Sequence, residues 1–491
     1  MNADAPLAIR HGPLTVYLQP LDGCPDLDQL AGRLPAGRPQ MWLDSARQHP
    51  VTGRWSILGW DPWLTLTGRG DRLELRTSAA THRFRGHPLE ALREVLRRYR
   101  AVAPIGPQSR AVGLMGFLSY ELNRWIERLP APQPSGSRLP DLQWHAMRSA
   151  VVVDHLEGRA WALGVMDPHQ PRALARREAQ AAVAQIQAWC RDAGPRAETP
   201  MEPAVCGALR PTTSQAQFER MVLRVLEHVR AGDIYQANVS QQFTAAWRGG
   251  SLPLYRTLRR LNPSPFACWF SDGELAIVSC SPERLARVQE GLIDTRPIAG
   301  TRPRGLTRDE DALKELELLL SEKERAEHVM LVDLARNDLG RVCRAGSVRV
   351  NELMGLEQYS HVMHIVSDVG GRLRPGTDAV DVIRAVFPGG TITGCPKVRC
   401  MEILREVESV PRGLYTGSVG TLGFDGTLDL NIAIRTMVLD GPRLSFHVGA
   451  GIVADSAPER EYHETLAKAG ALMAALEACS EGRVEADAAA R

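Results

Sequence analysis

At 491 residues and 44% hydrophobic content the chain can bury a large core, and its length alone suggests roughly two to four domains. A formal net charge of +2 from interspersed charges gives no long-range field for nucleic acid or anionic lipid, and no run approaches the ~20 apolar residues that span a bilayer; small molecules or proteins are the partners expected, with no nucleic acid and no membrane. Nine cysteines, an odd number without a C-x-x-C pair, argue against a disulfide framework or structural zinc, and the amino terminus lacks a charged start followed by an apolar run, so a cytoplasmic protein is expected.

From about residue 13 to residue 161, short alternating runs such as LTVYLQ, RWSILGW, DRLELRT and RSAVVVDH predict strands separated by Gly, Pro and Asp. Apolar residues at helical spacing interrupt them at 89–99, and recur at 173–189. Residues 193–211 are rich in Pro, Gly and Ala without a period; they read as a linker between an amino-terminal region (1–192) and a catalytic region (212–480), with a tail at 481–491. Beyond the linker, Thr213 or Ser214 opens a helix that ends near Gly232. Residues 309–334 read as one long helix on which Glu324, Glu327, His328 and Leu331 share a face. A strand at 444–454 holds Gly449, Ala450 and Gly451, and glycines in a strand mark a bulge or the close approach of a ligand. Ser456-x-x-Glu459 has capping-box spacing and opens a helix to about residue 479, with Glu461, Glu464 and Lys468 on one face.

Five segments carry the chemistry: SPER (281–284), RPIAGTRPRG (296–305), EKERAEHVMLVDLARNDLGR (322–341), GGTITGCPK (389–397) and HVGAGIVADS…EREYHET (447–465). Glu327 and Glu464, on separate helices, suit magnesium, which takes one or two protein carboxylates and leaves room for other oxygens; either alone reads as a solvated helix face. Backbone N–H groups at Gly300-Thr301 and Gly449–Gly451 either cradle a carboxylate or form tight turns. Arg435, in the apolar run NIAIRTM, needs an anion, structural or substrate. Tyr415 offers a hydroxyl or is a core tyrosine, and Glu283 is an acid for a leaving hydroxyl or part of a surface turn. Only four of the 59 basic residues are lysines, and Lys323, Lys397 and Lys468 fall in or just beyond these segments, which points to a special role for Lys397 or Lys468 because an ammonium and a guanidinium are not interchangeable.

In these motifs, over residues 217–468, the chain resembles the chorismate-utilising enzymes, and its amino-terminal part resembles them more weakly. The resemblance implies a large two-layer α/β (α+β) fold of antiparallel sheets flanked by helices, with Mg2+ as cofactor and chorismate as substrate. By the same resemblance Glu327 and Glu464 are the metal carboxylates, with Glu461 and Lys468 beside them; Gly300, Thr301, Tyr415, Arg435, Gly449, Ala450 and Gly451 contact chorismate, Arg435 at its enolpyruvyl carboxylate. Glu283 is the general acid for the departing 4-hydroxyl, and His364 a catalytic histidine near the ring. Gln236 stands where water-using members carry Lys, and an amide cannot serve as that base, so an ammonia-using enzyme is implied. Ala299 replaces the Lys common in members that make 4-amino-4-deoxychorismate, which favours the anthranilate branch. Against it, FPGGTITGCPK is closer to the aminodeoxychorismate form. Leu43-Asp44-Ser45 and Pro265-Phe266-Ala267 also differ from the family's tryptophan-feedback residues, so the inhibitor pocket is expected to be absent. The balance implies an aminodeoxychorismate synthase component I of 4-aminobenzoate and folate biosynthesis. No Cys elbow with a downstream His-Glu pair is present, so ammonia is expected from solution or from a glutamine amidotransferase subunit.

Overall fold

The computed structural model describes residues 6–49, 52–102, 104–130, 136–192, 204–304, 307–358 and 362–480. The amino-terminal alternation forms strands, the longest being Trp55–Arg69 and Leu142–Asp154, which pair antiparallel with each other. The helical spacings become Pro88–Arg98 and Arg172–Arg191. Pairing continues from one region into the other: Gln40–Asp44 pairs with Phe266–Ser271, placing Trp42 opposite Trp269, and Gly113–Leu118 pairs with Ser418–Gly423. One apolar core follows, holding Leu14, Phe117 and Trp144 together with Ile277, Val419 and Leu430. Of the expected linker, residues 193–203 lie outside the described residues, as does the tail at 481–491, whereas Val205–Cys206 and Arg210–Pro211 add to the sheet.

Six elements position the site: β1 (Gln236–Arg248), β2 (Ile298–Pro303), α1 (Glu322–Gly340), β3 (Val362–Arg372), β4 (Arg443–Ile452) and α2 (Pro458–Cys479). β1 pairs antiparallel with β4 over ten residue pairs without a register break, Ser240 facing Gly449 and Asn238 facing Gly451. β2 pairs antiparallel with β3. Curled antiparallel sheet flanked by helices is thus the architecture, as the motifs imply. No helix among the described residues is long and apolar enough to cross a membrane, and the nine cysteines are all free.

Three local expectations are corrected. The single helix expected over 309–334 is two, Arg308–Leu320 and α1, broken at Ser321, whose backbone is extended and whose hydroxyl accepts the Glu324 N–H. A serine oxygen competes for backbone donors and so favours a cap over a helix interior. The capping box at Ser456 does not form: Ala457 is the N-cap of α2, Pro458 takes the first turn, and the Ser456 hydroxyl accepts from Val453 N at 3.1 Å. Residue 435, placed by pattern in a strand, is a bend with φ +51° just before the strand Thr436–Asp440. The helix Gln215–Arg230, by contrast, opens on Ser214 in a capping box with Gln217.

Candidate active site

Glu283 leaves the strand Leu275–Ser281 at a buried turn, 5% exposed. The Thr391 hydroxyl donates to its Oε1 at 2.7 Å, and Ile298 N–H also donates to its carboxylate. Burial outweighs these donors and the nearby Arg435 guanidinium, so the carboxyl is pushed up to about 7. Glu283 is therefore a buried acid that holds a proton near neutrality, and not part of a surface turn.

Opposite it, β2 bulges between Ala299 and Thr301, and Gly300 sits at the bulge with φ +66°, where a Cβ would meet Leu318 Cδ1 at 2.9 Å and Glu324 Oε2 at 3.0 Å. Thr301 follows, its backbone paired with His364. His364 Nδ1 lies 3.1 Å from Gly300 O. A carbonyl only accepts, so Nδ1 carries the proton and Nε2 the lone pair. Burial, reinforced by the Arg435 charge, lowers the imidazole to about 4, which keeps it neutral. Arg435 Nη1 is 3.4 Å from Asn262 Oδ1, and its charge acts on both Glu283 and His364, so it lies near acid and histidine alike.

The glycines of β4 form the floor, and they mark a close approach of side chains rather than a bulge. A Cβ at Gly449 would come within 2.6 Å of the Tyr415 hydroxyl and 2.5 Å of Asn238 Oδ1, and one at Gly451 within 2.7 Å of Gln236 Nε2. Tyr415 is buried and stacked on His447, ring centroids 5.4 Å apart, with the Arg412 guanidinium 5.6 Å from its ring. Ala450 turns its methyl into the core behind the floor with Ala237 and Val239, so only its backbone faces the site. Lys468 Nζ donates to Gly449 O at 3.0 Å and pairs with Glu464 at 2.7 Å.

At the far end α1 and α2 bring Glu327 and Glu464 within electrostatic reach of each other. Burial first, then the charges of Glu324, Asp455 and Glu464, push the Glu327 carboxyl up to about 7 against the opposing Lys323. Glu461 is raised chiefly by burial, with Glu464 adding to it. Lys323 Nζ spans the cluster, 3.0 Å from Asp455 and 4.0 Å from Glu327. Carboxylates that raise one another's pKa lie where a cation is stabilising. Among the described residues no group of three or more His, Cys, Asp or Glu is arranged to hold a metal; the two carboxylates available to a divalent ion here are Glu327 and Glu464, with further oxygens from outside the protein. That donor set fits magnesium. Lys397 has a structural role instead: its Nζ donates to Asp338 at 2.6 Å and to Val386 O at 3.2 Å, tying one helix start to α1.

Thr391, Asn238 and Asp455 escaped the motif reading. Thr391 lies within GGTITG, and Asn238 falls two residues after Gln236 on the same strand face, so period-two alternation was the available signal. Leu43, Asp44, Ser45, Pro265, Phe266 and Ala267, from the two feedback-related segments, line a cavity of about 540 Å3, with Asp44 paired across strands to Ala267. Its altered residue is committed: Asp44 accepts from Ser56 at 3.1 Å, from Tyr255 at 2.9 Å and from Arg259.

Residues 38–474 match the family described as chorismate binding enzyme. The chain is 40% identical over 440 residues to aminodeoxychorismate synthase component 1 of Bacillus subtilis, covering 89% of this chain and 92% of that one, and 41% identical over 460 residues to anthranilate synthase component 1 of Synechocystis, covering 89% and 91%. The crystal structure of anthranilate synthase component I from Streptococcus pneumoniae superposes with a TM-score of 0.76 at 32% identity, over 87% of this chain and 93% of that chain. A family match spanning residues 38–474, with relatives about 40% identical over most of both chains, shows that the chain belongs to the chorismate binding enzyme family.

Proposed function

We propose that this chain is component I of an aminodeoxychorismate synthase, converting chorismate and ammonia to 4-amino-4-deoxychorismate, with the ammonia supplied by a glutamine amidotransferase subunit in the cytoplasm. The observation that carries the chemistry is Glu283, a buried carboxyl pushed up to about 7 and hydrogen-bonded by Thr391. Glu327 and Glu464 would hold a magnesium ion, which when bound would supply Lewis-acid withdrawal of electron density through the ring carboxylate of chorismate. Arg435 takes the enolpyruvyl carboxylate. Glu283 gives its proton to the 4-hydroxyl, which departs as water while ammonia forms a bond at carbon 2. A second ammonia then adds at carbon 4 as the carbon 2 ammonium group leaves as ammonia, and the new carbon 4 ammonium returns a proton to Glu283, with His364 and Lys468 bordering the ring.

Nearly equal identities to the two aminating relatives leave overall similarity without a preference. The GGTITG turn that delivers Thr391 to Glu283, and Asp44 held by three donors in the altered cavity, support the aminodeoxychorismate reading. One observation favours anthranilate: Ala299, next to the Gly300 bulge, offers no amine for covalent addition. The deciding experiment incubates the purified chain with chorismate, magnesium and ammonium, with and without an aminodeoxychorismate lyase. 4-Aminobenzoate that appears only with the lyase, and that tryptophan does not suppress, is expected. Fluorescent anthranilate formed without the lyase and suppressed by tryptophan would reverse the assignment.

A further inference from the structure

Arg412 is 2% exposed, and its carboxylate partner Glu408, four residues earlier, is 7% exposed. Glu408 closes the carboxyl end of the helix Lys397–Val407, and the chain then turns to bring Arg412 back onto it. Nε donates to Glu408 Oε2 at 2.9 Å and Nη2 to Glu408 Oε1 at 2.7 Å. Burying such a pair strips hydration from both charges, and the attraction regained roughly offsets that loss, so a buried pair is weak evidence of a stabilising role. The reason for this one lies in the donors not spent on Glu408.

Those donors reach three segments of the site: Nη1 donates to Ile392 O at 3.1 Å and to Thr416 Oγ1 at 3.2 Å, and Nη2 donates to Asn238 O. Ile392 follows Thr391, whose hydroxyl is on Glu283, in a tight turn that Thr393 Oγ1 closes on Gly389 O at 2.8 Å, so the carbonyl and Thr391 shift together. Asn238 belongs to β1, beside the glycine floor. Thr416 follows Tyr415 and has φ +60°, a conformation that a β-branched residue keeps only where its neighbours over-determine it. Its hydroxyl donates to Tyr415 O at 2.6 Å while accepting from Arg412. The guanidinium also lies 5.6 Å from the centre of the Tyr415 ring and 4.8 Å from that of Tyr120, a residue of the amino-terminal region. Glu408 adds a second hold on β1, its Oε1 accepting from Ser240 N at 2.9 Å and from Ser240 Oγ at 2.8 Å. A planar fork of donors fixes its acceptors relative to one another, which neither an apolar residue nor a lysine can do.

We propose that Arg412 is a positioning residue for the reaction: through Ile392 O it holds Thr391 on Glu283, and through Thr416 and the Tyr415 ring it holds the tyrosine over the glycine floor, so that acid and floor keep one relative geometry. The proposal rests on the reading of Glu283 as the acid. The test combines Arg412→Met with Glu408→Gln in one chain, which removes both charges at similar volume and leaves neither buried alone. Folding is followed by cooperative melting and circular dichroism, and turnover is measured across neutral pH. With the fold retained, kcat is expected to fall about a hundredfold. The alkaline limb of the profile is expected to move to higher pH, because the Thr391 donor that favours the ionised carboxylate is withdrawn while Arg435, the charge acting on Glu283, stays in place. A role confined to stability would leave the limb where it is. Thr391→Val is expected to move the limb equally by itself and to add nothing in the combined variant. Should the double variant not fold, Arg412→Lys keeps a charge opposite Glu408 without the fork and is read the same way. A folded variant with the limb unmoved, or with kcat within about threefold of the parent, overturns the assignment, as does a Thr391→Val shift that adds in full to that of the double variant. Glu283→Gln separates the two readings. A loss of less than about tenfold there removes the acid and this role with it, whereas a larger loss there with an unmoved limb in the Arg412 variants removes the positioning role alone.

Discussion

At the acid end of the site Glu283 is buried, supplied with donors by Thr391 and Ile298, and poised near neutrality before any ligand arrives. At the carboxylate end Glu464 is half exposed, Glu327 partly exposed, and the charges are balanced by lysines at 2.7 to 4.0 Å. The difference teaches which groups are built in advance. A proton donor must be held away from water to keep its proton at neutral pH, whereas carboxylates proposed to hold a metal would keep positions open for substrate oxygens and tolerate solvent.

The comparison is broken most directly at the acid. Glu283→Gln keeps the shape and the Thr391 contact but has no proton to give, so turnover should fall by ~10²–10⁴ with chorismate binding retained. A fall of less than about tenfold in steady-state turnover assigns the acid role elsewhere. At the other end, Glu327→Gln and Glu464→Gln should each abolish most magnesium-dependent turnover while the circular dichroism spectrum is unchanged. Partial recovery at high magnesium is expected of a weakened site, and full activity of both at limiting magnesium would remove the metal assignment.

A titration sharpens the contrast. Glu283 is raised from 4.5 to about 7 on folding, so its stabilising contribution is complete below 4.5 and is lost as pH rises through about 7. Turnover should decline above that pH as the acid ionises, and thermal melting between pH 5 and 8 should show a stability loss that is shallower in Glu283→Gln. An identical slope in the variant would mean that another group carries it. The smallest effect expected is none: with Ala299 in place of a lysine, intact mass after chorismate and borohydride should match the untreated chain. An added mass on any lysine would restore covalent catalysis to the mechanism.

Identity of the chemical groups was legible in the sequence because it is local. SPER, AEH, the glycines at 449 and 451 and Glu461-x-x-Glu464 declare their residue types and spacing, and each falls on the element that its periodicity or turn chemistry predicts. Burial and distance across the chain were not legible, because they are set by partners far away in sequence. Whether Glu283 is a surface turn or a buried acid depends on Thr391, 108 positions on, and on the packing that excludes water from both. The bend at Arg435 and the cavity lined by Asp44 are likewise settled by where neighbouring strands and helices end. Sequence by itself therefore determined which donors, acceptors and charges this protein carries, and the tertiary structure alone decided which of them lose water and meet, since desolvation and proximity exist only once distant segments pack.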